Sequence, residues 1–215
     1  VYAADEMQGF ALISDLGKET FLDVLNEENA AKLFDAATSA LVKWQKASRP
    51  GQLPLYDREV LLRELNLFPE WYVKRHCGVE WDAKHEKWWQ MSVDAILKSN
   101  LADAKVFVHR DFMPRNLMVS DPLPGVIDFQ DGIPVPDDFG AFYRSVEFMG
   151  VQRHLKVLGI FARINYRDGK PKYLADTPRF IKYVRQTAGR YVELSPLRHL
   201  IDELDGVRER AGYTF

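Results

Sequence analysis

Val106-Phe107-Val108-His109-Arg110-Asp111-Phe112-Met113-Pro114-Arg115-Asn116-Leu117-Met118-Val119 decides how this chain is read. It sets H-R-D, a four-residue spacer and an Asn between two apolar runs. Gly125-Val126-Ile127-Asp128-Phe129-Gln130-Asp131 follows at once. A site that moves a phosphoryl group needs a carboxylate to receive a hydroxyl proton, and oxygen ligands to hold Mg²⁺ on the nucleotide phosphates. Asp111, Asn116 and Asp128 carry those groups in that order. Loop, short strand, turn and second strand are expected to bring all three to one edge.

Working outward, each residue has a plainer reading beside the chemical one. Asp111 is the expected general base, or a turn acid. Asn116 offers Mg²⁺ an amide oxygen without adding charge, or closes a turn. Asp128 offers a carboxylate at a strand end. Mg²⁺ keeps several waters and takes few protein ligands, so two oxygens from adjacent loops suit it. Asp131 is either a supporting acid or a turn residue, and His109 orients the loop. Arg110 and Arg115 could neutralise phosphate charge or pair with a nearby carboxylate. The combined spacing outweighs any of its parts, because a lone H-R-D says little.

The flanks read mainly as helix. Gly9 to Ser14 reads as one strand, ending in the turn Asp15-Leu16-Gly17. Glu28 to Trp44 carries apolar residues at helical spacing. Asp57 and Asp82 are expected N-caps, the first opening a helix that Pro69 kinks or restarts. The second helix runs to Leu97 with Trp88, Met91 and Ile96 inward. Asp121-Pro122-Leu123-Pro124-Gly125 is a turn between two short strands. From Asp138 to about Tyr166 the chain again reads as helix. Thr177-Pro178 and Ser195-Pro196 read as cap-plus-proline starts. Phe68, Trp71, Trp81, Trp88 and Trp89 are expected in the core rather than on a sugar platform.

The 215 residues suffice for one large domain or two small ones. No apolar run is long enough to cross a membrane, and no secretory leader is visible. The single cysteine, Cys77, fits a reducing, cytoplasmic compartment. Val1 is not an initiator Met, so the start of the chain is expected to be cut away, processed or not visible. A net charge of −2 argues against nucleic-acid binding. Bases concentrate late: from Arg144 to Arg190 there are 11 against three acids. Arg153, Lys156 and Arg163 fall within about 80° on one helix, a basic stripe that faces either water or an anionic substrate.

The H-R-D-x-x-x-x-N plus I-D-F arrangement resembles the aminoglycoside phosphotransferase-like branch of the protein-kinase fold. Leu12-Ile-Ser-Asp-Leu-Gly17, Phe21-Leu-Asp-Val-Leu25, Met149 to Arg163 and Arg167 to Arg179 look like the bacterial cell-wall-recycling sugar kinases. That resemblance implies ATP and Mg²⁺, and phosphorylation of N-acetylmuramate or N-acetylglucosamine at the anomeric hydroxyl. It implies an α+β, protein-kinase-like fold, mainly the helical C-terminal lobe with the N-terminal nucleotide lobe largely missing. Residues 1–16 would be the last strand of that lobe and the linker, with Ile13, Ser14 and Asp15 against adenine. Residues 17–215 would be the helical lobe, lacking a segment between 131 and 132. Glu64, Glu70, Arg75, Arg153 and Arg163 are the candidate substrate contacts. A sugar and ATP are the expected partners, with no membrane and no nucleic acid, and the expected state is a monomer. The alternatives are an aminoglycoside O-phosphotransferase and a catalytically silent sugar-binding relative. A polycationic aminoglycoside would want an acidic wall, whereas the basic stripe suits a sugar acid.

Overall fold

The computed structural model describes residues 2–5, 7–49, 56–102, 105–107, 112–127, 132–134 and 139–206. The described chain is mostly helical with small sheets, consistent with an α+β kinase-like fold. It divides into two compact units, residues 1–55 with 105–132 and residues 56–104 with 133–215.

The first unit opens with a hairpin, β1 (Ala3–Asp5) antiparallel to β2 (Phe10–Leu12), where a single strand was expected from Gly9 to Ser14. Gly9 has φ +73°, the left-handed backbone a glycine adopts without strain at the foot of β2. A short helix α1 (Phe21–Val24) and the long α2 (Ala30–Lys46) follow. Strand β3 (Lys105–Phe107) precedes a 3₁₀ turn, Pro114–Asn116, which runs into β4 (Leu117–Met118) and, after the proline-rich turn, β5 (Gly125–Val126). β4 and β5 pair antiparallel, Leu117 with Val126 and Met118 with Gly125. Phe21, Leu33, Ala37 and Leu117 form the buried centre, with Phe112, Val119, Leu123 and Val126 packed on it.

The second unit holds α3 (Arg58–Leu65), a π-helix (Phe68–Cys77), α4 (Ala83–Asn100), α5 (Phe139–Asp168), α6 (Thr177–Ala188) and α7 (Ser195–Leu204). Both aspartate caps are present. Asp57 Oδ1 accepts from the Glu59 and Val60 amides at 3.0 and 3.1 Å, and Asp82 Oδ1 from Lys84 and His85 at 2.9 and 3.0 Å. The Pro69 restart takes the form of the π-helix, which closes at Gly78 with φ +68°. α5 buries Phe148, Val151, Leu155, Leu158 and Ala162, a 3–4 spacing that makes one continuous stripe. It packs on the π-helix and on α6. A Cβ at Gly159 would lie 2.4 Å from the Leu67 carbonyl carbon, so this glycine sets the closest approach of the two helices.

Two expectations are corrected here. Met91 is exposed, because the buried face of α4 is Trp89, Ser92, Val93, Ile96, Leu97 and Asn100. Thr177 and Ser195 do not cap with their side chains. Each lies inside its helix and donates its hydroxyl backward, Thr177 to the Leu174 carbonyl at 2.8 Å and Ser195 to Val192 at 2.6 Å. In both cases a 3₁₀ turn runs directly into the helix and leaves no extended N-cap residue. The aromatic cluster behaves as core: Phe68 and Trp89 are buried, and Trp71, Trp81 and Trp88 pack against them half-buried. Among the described residues no helix is long and apolar enough to cross a membrane.

Candidate active site

The first unit brings residues 13–16 and the end of β5 to one cleft of about 770 Å³. Ile13, Ser14, Asp15 and Leu16 line one side, and Ser120, Asp121, Pro122, Pro124, Gly125, Val126 and Ile127 the other. Ordinary small-molecule sites have about 300–1,000 Å³. Residues 13–17 are held in shape by their own chemistry. Asp15 Oδ1 accepts from the Gly17 amide at 2.9 Å, and Gly17 takes φ +82°. The next residues then join the β4–β5 ladder: Thr20 bridges Met118, and the Val119 amide donates to the Glu19 carbonyl at 2.9 Å. Thr20 opens α1, where its amide and hydroxyl both donate to the Asp23 carboxylate, at 2.8 and 2.7 Å. These bonds hold the Asp23 carboxyl below the usual carboxylate range.

Asn116 ends the 3₁₀ turn, its amide donating to the Met113 carbonyl at 2.8 Å. Its own carbonyl accepts from the Ile127 amide at 3.1 Å. That bond ties the Asn116 loop to the strand that leads into Asp128 in sequence. Asp111, Asp128, His109, Arg110 and Asp131 lie outside the described residues. An amide oxygen and a carboxylate, which Asn116 and Asp128 would supply, are hard oxygen donors of the kind Mg²⁺ selects. Among the described residues there is no group of three or more His, Cys, Asp or Glu that could hold a metal ion.

The candidate substrate residues separate. Glu64 is buried and fully engaged inside the second unit. It accepts from Tyr56 Oη, from Gln152 Nε2 at 2.8 Å and from Lys156 Nζ at 2.6 Å. Burial alone would push its carboxyl up, but the bonds from Lys156, Tyr56 and Gln152 and the lysine charge outweigh this and hold it below the ordinary range. Lys156 therefore leaves the basic stripe. Arg153 and Arg163 remain on α5, both half-buried, and Arg163 Nε has no hydrogen-bond partner among the described residues. Glu70 lines a separate cleft of about 310 Å³ with Trp81, Glu80 and Glu86. Arg75 lies over the Trp71 ring, 4.9 Å from its centroid.

Residues 1–132 match the model of the phosphotransferase enzyme family. The chain belongs to that family. This phosphotransferase is 44% identical to the N-acetylmuramate/N-acetylglucosamine kinase of Pseudomonas aeruginosa, over 95% of this chain and 72% of that protein. It is also 44% identical to the protein of that name from Neisseria meningitidis, over 100% of this chain and 78% of the relative. With the one from Caulobacter vibrioides it shares 29% over 86% of this chain. Sequence reasoning on this phosphotransferase missed Ser120, Asp121, Pro122 and Gly125 as cleft residues. Asp121, Pro122 and Gly125 carried only a turn signal and Ser120 none, and nothing local says that they face residues 13–16.

Proposed function

We propose that the protein is an ATP-dependent sugar kinase that phosphorylates the anomeric hydroxyl of N-acetylmuramate, N-acetylglucosamine or both. The observation that carries this reading is the 44% identity, over 95–100% of the chain, to kinases named for those two sugars. The cleft on the linker supports it. In this reading adenine would lie against Ile13, Ser14 and Asp15, which line the cleft together with Val126 and Ile127.

In this reading Asp111 hydrogen-bonds the sugar's anomeric hydroxyl and accepts its proton as that oxygen attacks the γ-phosphorus in line. The bond from the γ-phosphorus to the bridging oxygen breaks, and ADP leaves. An anomeric hydroxyl is more acidic than an ordinary alcohol, so a modest base suffices. Asn116 and Asp128 hold Mg²⁺, which when bound neutralises phosphate charge. His109, Arg110 and Asp131 support the loops. Glu70, Arg75, Arg153 and Arg163 stay candidates for sugar contacts, with Glu64 reassigned to internal support.

We read residues 1–16 as the last strand of the nucleotide lobe and the linker, and 17–215 as the helical lobe. The match to the Neisseria relative runs over 260 residues against 215 here, so the relative carries several dozen without a counterpart. A gap between 131 and 132 would account for them. The protein is read as a cytoplasmic monomer.

The test is ADP release by the full-length protein with ATP, Mg²⁺ and each candidate acceptor. Turnover with either amino sugar and none with kanamycin supports the reading. Turnover with kanamycin alone moves the protein to the aminoglycoside O-phosphotransferases, and sugar binding without ADP release makes it a silent relative.

A further inference from the structure

We propose that Gly125 and Leu16 together set the width of the linker cleft and so select which nucleotide base enters it. The proposal rests on the reading of that cleft as the nucleotide site and goes beyond it by naming a specificity pair. Gly125 is buried at the start of β5, paired with Met118. A Cβ there would lie 2.9 Å from Ser120 Oγ, 3.0 Å from Leu16 Cδ2 and 3.1 Å from Leu16 Cδ1. Contacts this short require something to move. Ser120 yields only by giving up the bond its hydroxyl donates to the Pro122 carbonyl at 2.9 Å, which is a small cost. Leu16 is the group free to shift. Its backbone is held by the turn at Asp15 and Gly17, so only the side chain can rotate.

All three residues line the cleft. A methyl at 125 therefore displaces the Leu16 isobutyl group into the space above β5, where the base would lie against Val126. The absence of a side chain at 125 is what lets Leu16 tuck down and keep the cleft open. Conversely, trimming Leu16 removes a wall and enlarges the site on the linker side. Gly125 itself has no positive φ, so the requirement for glycine here is one of space and not of backbone conformation.

The experiment measures KM and kcat for ATP, and for ATP carrying a benzyl group on N6, on the full-length protein. It compares wild type, Gly125→Ala, Leu16→Ala and the double variant, with displacement of a fluorescent ATP analogue as a direct binding readout. Overpacking of this size should raise the ATP KM and the analogue Kd about tenfold in Gly125→Ala, while the sugar KM stays unchanged. Adding Leu16→Ala should return the ATP KM to within about threefold of wild type, since removing the displaced side chain removes the conflict. Leu16→Ala alone should lower the KM for the N6-benzyl nucleotide. A general loss of folding would depress kcat and sugar KM together and would not be rescued by a second truncation. Unchanged nucleotide binding in Gly125→Ala, or failure of the double variant to recover, overturns the proposal while leaving the kinase reading intact. A wild-type protein that binds no ATP analogue removes both.

Discussion

Replacing Lys156 by Met should strand the Glu64 carboxylate. The Lys156 side chain is 24% exposed and that of Glu64 10%, and their charged atoms are 2.6 Å apart. Removing one partner of a fully buried ion pair costs about 3–5 kcal/mol. Tyr56 and Gln152 still donate to the carboxylate in the variant, and the partial exposure of position 156 admits water. The expected loss is therefore about 2–3 kcal/mol, and at roughly 2–4 °C per kcal/mol for a chain of this size the melting temperature falls by about 4–12 °C. Urea unfolding followed by tryptophan fluorescence reads the right unit, because Trp71, Trp81, Trp88 and Trp89 belong to it and only Trp44 does not.

The pH dependence sharpens this test. Glu64 titrates below its ordinary value of 4.5 in the folded protein, so its stabilisation is present above that pH and is lost as the pH falls through the depressed folded value. Without Lys156 its hydrogen bond and its charge no longer lower the carboxyl, so the variant protonates at a higher pH than wild type and is relieved first. The gap between wild type and variant must shrink between pH 7 and pH 4. Lys156→Met combined with Glu64→Gln should recover part of the loss, with a coupling of about 1 kcal/mol or more. A single variant within about 0.5 kcal/mol of wild type at pH 7 would refute the reasoning, as would a loss of the same size at both pH values.

Three further outcomes are expected. Gly159→Ala should destabilise by about 1–3 kcal/mol in thermal melts, because the Cβ meets Leu67 backbone at 2.4 Å; on propensity alone alanine in mid-helix would gain roughly 1 kcal/mol, so the sign decides. Asp57→Ala should cost about 1 kcal/mol in urea unfolding through loss of the two amide bonds at the start of α3, and Asp57→Asn should restore most of it. Met91→Lys should leave the melting midpoint within error, about 0.5 kcal/mol, whereas Ile96→Lys on the buried face should prevent folding or cost several kcal/mol.

Local chemistry was legible in the sequence, and tertiary chemistry was not. Asp57 and Asp82 cap because a short carboxylate before an apolar period has one good use. The two strands around the Asp121–Gly125 turn follow from their apolar runs. The inward faces of α4 and α5 were blurred, since a helix with apolar residues on several faces does not declare which one is covered; Met91 shows this. Glu64 stood in the sequence as one of five candidate substrate contacts, with nothing local to show its internal bonds. Its partners Gln152 and Lys156 lie 88 and 92 positions away, and no local pattern joins them. Gly125 is the same case: only the approach of Leu16 gives it a role. The spacing from Asp111 to Asn116 and Asp128 pointed to the family that the 1–132 match identifies, because chemistry constrains spacing more tightly than packing does.

The most direct test of the account is ³¹P NMR of the product that the full-length protein makes from ATP, Mg²⁺ and N-acetylmuramate, run beside Asp111→Asn. The account predicts a sugar 1-phosphate resonance, with its rate of appearance lowered about 10²–10⁴-fold in the variant, as loss of a general base implies. A phosphate on any other hydroxyl, or an anomeric phosphate formed equally fast by Asp111→Asn, would contradict it.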